Sequence, residues 1–160
     1  MLMMLNDRNK KALGIDFGLK RIGMSLSDDT QTIAFPLKYI LNDSLKKTIS
    51  ELKTIIEEEN VGLLVIGMPV GLKGKKTEIS VKISEFIENL QEKLKEKIGE
   101  GLKIAVYDER FSSVQAQRSL IDQNVKRNKR KEKIDSIAST FILQSYLDRQ
   151  KNINDKKNPE

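Results

Sequence analysis

"KALGIDFGLKRIGMSLSD", residues 11–28, is the stretch on which the fold turns. Its first part, ALGI, is a short apolar run, and Ile22, Met24 and Leu26 follow at a spacing of two, so both halves read as strands. The connection DFGLK is short, and Gly18 is able to take a positive φ within it, so an antiparallel hairpin is the natural reading. Asp16 sits inside this apolar setting, where an ionised carboxylate is costly unless something compensates it.

Working outward, a third strand is expected over about residues 32–41, with Pro36 marking an edge or a bulge. Asn42, Asp43 and Ser44 are N-cap candidates for a helix reaching about residue 60, with Leu45, Ile49, Leu52, Ile55 and Ile56 on one face. VGLLVIGMP, residues 61–69, is a continuous apolar run stopped by Gly67 and Pro69, the pattern of a strand covered on both faces. Ile79, Ile83, Phe86, Ile87, Leu90 and Leu94 mark a long amphipathic helix, and GLKIAVYDER, residues 101–110, reads as another strand. Ser112 and Ser113 are suited to capping a further helix rather than to acting as nucleophiles. Ile134, Ile137, Phe141 and Ile142 mark the final helix. The order β-β-β-α-β-α-β-(α)-α implies an α/β fold: a five-stranded mixed sheet, three antiparallel strands and then alternating helices and parallel strands, flanked by helices. A chain of 160 residues suits one domain over 1–160 with a core of about 11–149; segments 1–10 and 150–160, ending in KKNPE, are expected to fray.

Composition removes whole classes of chemistry. There is no cysteine and no histidine, so disulfides, thiolate metal sites, imidazole bases and histidine ligands are excluded. Catalysis must rest on carboxylates, hydroxyls, lysines or arginines. With 29 Lys and Arg against 23 Asp and Glu, the net charge of +6 favours a polyanionic partner. Only 5% of residues are aromatic, which argues against extensive base stacking and for recognition of shape and backbone. The lack of a long apolar run or a signal-like amino terminus leads to the expectation of a cytoplasmic protein with no membrane association.

Three acids stand where such a fold can gather them. Asp16 is at the carboxyl end of the first strand, Glu109 ends the last, and Asp135 lies near the start of the final helix beside its apolar face. Clustered carboxylates raise one another's pKa, so a site built from them needs divalent cations, and oxygen ligands alone suit Mg²⁺ or Mn²⁺. Each acid also has a plainer reading. Asp16 could bond the hairpin backbone, Glu109 could pair with Arg110 or Lys131, and Asp135 could be a first-turn acid favoured by the helix dipole. Asp108 competes with Glu109, but neighbours on one strand point to opposite faces.

Four ordered motifs, GIDFGLKRIGMSLSD, VIGMPVGLKG, YDERFSSVQA and KIDSIASTFILQSYL, together resemble the YqgF family, also called RuvX, over about residues 13–147. The resemblance implies an RNase H-like fold and a metal-dependent nuclease with Asp16, Glu109 and Asp135 as its acidic triad, catalytic and metal-binding. It also implies action in maturing the 5′ end of pre-16S rRNA or, in older assignments, on Holliday junctions. This chain departs from the family pattern at Lys75 and Lys76, where a small residue and Glu often follow Gly74, and at DERFSS in place of DERLT. Neither departure touches the triad.

Basic residues surround these motifs. The run NVKRNKRKEK, residues 124–133, has six Lys or Arg and includes Lys126, Arg127, Lys129, Arg130 and Lys131; Lys20, Arg21, Lys73, Lys75, Lys76 and Arg110 lie in other connections. Backbone phosphates of structured RNA are the expected target, although the run also suits a solvated loop. Precursor 16S rRNA is the leading substrate expectation for a monomer or weak homodimer. A four-way DNA junction, which calls for two sites and hence a dimer, is the alternative. A non-catalytic RNA-binding assembly module is another. GIDFG also resembles the first phosphate loop of actin and sugar-kinase domains, but those need two related domains.

Overall fold

The computed structural model describes residues 10–69, 77–109 and 130–157, with side chains of the last segment from residue 136 onward. The elements are β1 (Lys11–Phe17), β2 (Arg21–Ser27), β3 (Ala34–Leu41), α1 (Leu45–Glu58), β4 (Val61–Met68), α2 (Glu78–Lys93), α3 (Lys95–Gly99), β5 (Lys103–Asp108) and α4 (Arg130–Lys157). They build one sheet in the order β3-β2-β1-β4-β5, antiparallel from β3 to β1 and parallel from β1 to β5.

The hairpin forms as the spacing of apolar residues dictates, but its turn works differently from expectation. Gly101 is the one positive-φ glycine among the described residues, so Gly18 is not needed for its φ. It is needed for space, since a β-carbon there would stand 2.4 Å from the Arg21 carbonyl oxygen. Asn42 bridges the turn to β3: its side-chain amide donates to the Gly18 carbonyl (2.8 Å) and its backbone N–H to that of Lys20 (2.9 Å). β3 is an edge strand, starting at Ala34 rather than residue 32. The β2–β3 register slips between Met24 and Ser25, opposite Lys38 and Pro36, because proline cannot donate to the ladder.

Alternation along β1 and β4 feeds two cores. Leu13, Ile15, Ile22, Met24, Leu64 and Ile66 pack on one face against Ile49, Leu52 and Ile55 of α1 and Ile83, Phe86 and Leu90 of α2. Ser44 caps α1 as the sequence suggests, and Thr77 and Ser80 form a reciprocal capping box at the start of α2. On the other face Ala12, Val65 and Tyr107 pack against Ala138, Ile142, Leu143 and Leu147 of α4. The strand expected over 61–69 ends at Met68, just before Pro69, and runs through Gly67, which pairs with Tyr107 of β5. The tail expected to fray from residue 150 continues as helix to Lys157; segment 1–9 and residues 158–160 lie outside the described residues, as does the helix expected after Ser112. The short α3 was not signalled by apolar spacing.

Candidate active site

The sheet register sets a single row of positions level with Asp16. Asp16 pairs with Gly23 of β2, which pairs with Tyr39 of β3. On the other side Ile15 pairs with Ile66, so Asp16 stands beside Gly67 of β4, which pairs with Tyr107 of β5. The row therefore reads Tyr39, Gly23, Asp16, Gly67, Tyr107, and residues aligned this way share a face. That face is the one covered by α4, since Gly14, two residues before Asp16, has the Leu143 β-carbon 2.8 Å from where its own would be. Asp16 is 8% exposed, and the residues on both sides of it in the row carry no side chain.

Glu109 follows the end of β5 and is half-buried. Its Oε1 lies 3.0 Å from the point a β-carbon on Gly67 would occupy, with Ile142 Cδ1 2.7 Å from the same point. The Glu109 carboxylate thus lies over Gly67, one strand from Asp16 and on the same face. Asp108 pairs with Met68, whose side chain packs into the α1–α2 core, so it belongs to the opposite face. Tyr107 closes the row: its hydroxyl is hydrogen-bonded to that of Ser145 (2.8 Å) and its ring meets Tyr146 edge-on at 5.6 Å. Burial pushes the Tyr146 phenol up.

The depth of α4 is set by a buried polar contact. Ser25 donates to the Ser139 carbonyl (2.9 Å) and its hydroxyl meets that of Ser139 (3.0 Å); both side chains are fully buried. Only glycine fits between them at position 14, where a β-carbon would be 2.3 Å from Ser25 Oγ and 3.1 Å from the Ser139 carbonyl oxygen. Further along, Gln144 bonds the Ala34 N–H (2.9 Å) and the Thr32 carbonyl (2.9 Å), so α4 runs antiparallel to β1. The first turns of α4 therefore run toward the Asp16 end of β1, while the Asp135 side chain lies outside the described residues.

Of the basic candidates, Lys20 is exposed in the hairpin and Arg21 is half-buried at the start of β2. The Arg21 guanidinium lies over the Tyr39 ring, its Cζ 5.1 Å from the centroid. Lys73, Lys75, Lys76, Arg110, Lys126, Arg127 and Lys129 lie outside the described residues, as do the side chains of Arg130 and Lys131. Tyr39 and the Ser25–Ser139 contact were not picked out from sequence. Glycines inside strands, at positions 23 and 67, were the available signal for a crowded or ligand-facing row.

Among the described residues no three acids gather as a metal site. The described acids on the α4 face contribute two, Asp16 and Glu109, and their chemistry fits a hard divalent cation. Like charges over adjacent strands on a largely buried face are stabilised by such an ion, and their oxygens are the donors it prefers.

The sequence model of the RuvX family, described as Holliday junction resolvase, matches residues 10–149. A Sulfurihydrogenibium protein named "Putative pre-16S rRNA nuclease" is 44% identical over 139 residues, 87% of this chain and 90% of that protein. A Thermoanaerobacter pseudethanolicus protein of the same name is 40% identical over 143 residues, 89% and 99% of the two chains. Among solved structures, Thermus thermophilus RuvC in complex with a Holliday junction substrate superposes with a TM-score of 0.57 at 11% identity, over 88% of this chain and 96% of that one. The yeast mitochondrial Holliday junction resolvase Ydc2 gives 0.60 at 12% identity, over 98% and 87%. The fold is thus RNase H-like, the architecture of these resolvases. No helix of the described residues is long and apolar enough to cross a membrane.

Proposed function

Because the chain belongs to the RuvX family, whose model spans residues 10–149, we propose that it is a cytoplasmic, divalent-metal-dependent endonuclease that processes the 5′ end of pre-16S rRNA. One observation carries this reading: the Asp16 and Glu109 carboxylates lie over adjacent strands on the face that α4 covers.

Asp16, Glu109 and Asp135 are the residues we assign to hold Mg²⁺ or Mn²⁺. When bound, a pair of such ions supplies water activation and neutralises charge on the departing oxygen of a phosphodiester. The protein's part is to fix the carboxylates. Asp16 is held by ladders on both sides, and Glu109 is confined between Gly67 and Ile142. The apolar wall of Ile142 limits water around the pair, which strengthens their electrostatic grip. Lys20, Arg21, Lys73, Lys75, Lys76, Arg110, Lys126, Arg127, Lys129, Arg130 and Lys131 are proposed to hold backbone phosphates. A monomer or weak homodimer suffices for single-strand cleavage.

The family description favours a second reading, cleavage of four-way DNA junctions by a dimer. The test is incubation of the protein with a labelled precursor fragment carrying the 16S 5′ end and, separately, a four-way junction, each in Mg²⁺, Mn²⁺ or EDTA. The rRNA reading expects divalent-dependent cutting of the RNA. Cutting of the junction alone selects the second reading, and binding without cutting of either leaves a non-catalytic assembly module.

A further inference from the structure

Arg21 sits on the α4 face of β2, two residues before Gly23, and its guanidinium is stacked on Tyr39, which ends the Asp16 row. Its Nη1 is buried without a hydrogen-bond partner, and none of the ion pairs among the described residues involves it. A buried charged donor left unsatisfied is uncommon and calls for a reason. Among the described residues no carboxylate pairs with Arg21, and the residue is only half-buried, so a guanidinium held on an aromatic ring can offer the part of its planar fork other than Nη1 to an anion. The row thus carries a carboxylate over Gly67 on one side of Asp16 and a guanidinium over Tyr39 on the other, about two strand spacings or 10 Å from Asp16 backbone to Tyr39 backbone.

We propose that Arg21 anchors a backbone phosphate of the nucleic-acid strand engaged at Asp16, and that Tyr39 is the positioning residue that holds the guanidinium toward it. This rests on the nucleic-acid reading above and deepens it. The contact is to phosphate rather than base, so it fixes where the strand lies without reading sequence.

The test is anisotropy of a labelled RNA duplex with a single-stranded overhang, titrated in EDTA at several salt concentrations so that binding is read without cleavage. Arg21→Gln is expected to weaken binding about tenfold and to lower the salt slope by about 0.9. Tyr39→Leu is expected to weaken it about threefold with the slope largely kept, and Tyr39→Phe, which retains the ring face, to recover that loss. Lys38→Ala, on the opposite face of β3, controls for the loss of any positive charge and is expected to leave the slope unchanged. Arg21→Gln with wild-type affinity and slope but a lower melting temperature overturns the proposal, because Arg21 is then a structural residue. Failure of the wild type to bind the duplex also overturns it. If Arg21→Gln does not fold, judged by circular dichroism, the Tyr39→Leu and Tyr39→Phe pair decides. A wild type that binds in this way yet never cuts in Mn²⁺ rejects the nuclease reading and leaves the anchor standing. Cutting with an unchanged slope in Arg21→Gln rejects the anchor alone.

Discussion

Glu109 reaches its place over the sheet because residue 67 is glycine: the carboxylate oxygen occupies space 3.0 Å from where a β-carbon there would be. Gly67→Ala therefore displaces Glu109 and the tip of Ile142, both flexible side-chain ends. Stability is expected to fall by only about 1 kcal/mol. Cleavage in Mn²⁺ is expected to fall about 10²-fold, the scale of a displacement of about 1 Å in a site. Denaturant melts and initial rates on the same preparation check both, and an unchanged rate would remove Glu109 from the site.

Asp16→Asn keeps size and hydrogen-bonding capacity but removes the charge that would attract a divalent ion. Cleavage is expected to drop to background while the fold survives and RNA affinity is kept or rises, since a negative charge no longer faces phosphate. A mutant that cuts at the wild-type rate, or that fully restores rRNA maturation in cells depleted of the native protein, would exclude Asp16 as a metal ligand.

Gly14→Ala addresses the seat of α4. The new β-carbon would meet Ser25 Oγ at 2.3 Å, Leu143 Cβ at 2.8 Å and the Ser139 carbonyl oxygen at 3.1 Å, the last two being rigid. A loss of about 1–3 kcal/mol is expected in urea unfolding. Gly99→Ala in α3, where nothing lies within 4 Å of the new carbon, is expected to be neutral or stabilising by up to about 1 kcal/mol. Equal effects at the two positions would contradict the close approach of α4 to β1.

Asp28 governs how the β2–β3 connection responds to acid. Its carboxylate accepts from the Ile33 N–H (2.9 Å), the Thr30 hydroxyl and the Thr32 N–H (2.8 Å), which lower its pKa from 3.8 to about 2. A lowered folded-state pKa contributes stability that is complete above the unfolded value near 4 and disappears as pH falls through about 2. The difference in melting temperature between wild type and Asp28→Asn should be constant above pH 4 and shrink toward pH 2. A difference that grows on acidification would have the wrong sign for this mechanism.

Replacing Lys126, Arg127, Lys129 and Arg130 with alanine, positions outside the described residues, is expected to weaken RNA binding across sequences. The salt slope should flatten by about 0.9 for each lost duplex contact. An unchanged slope would mean that the run is only a solvated loop.

The alternation of apolar residues around Asp16, the runs at 61–68 and 103–108 and the helical spacing of Ile49, Leu52, Ile83 and Ile142 were enough to order the five strands with α1, α2 and α4 and to indicate a mixed sheet, whereas the short α3 carried no such signal. Each of these patterns reflects a local periodicity that burial must obey. Residue type alone likewise limited the chemistry to oxygen ligands, because histidine and cysteine are absent. Register and depth came from tertiary pairing alone. That Asp16 lies between Gly23 and Gly67, that Glu109 rather than Asp108 shares its face, and that Arg21 stacks on Tyr39 depend on pairings between strands distant in sequence. The pairing of Gly67 with Tyr107 inside the β4–β5 ladder has the same origin, because no window of sequence contains both strands.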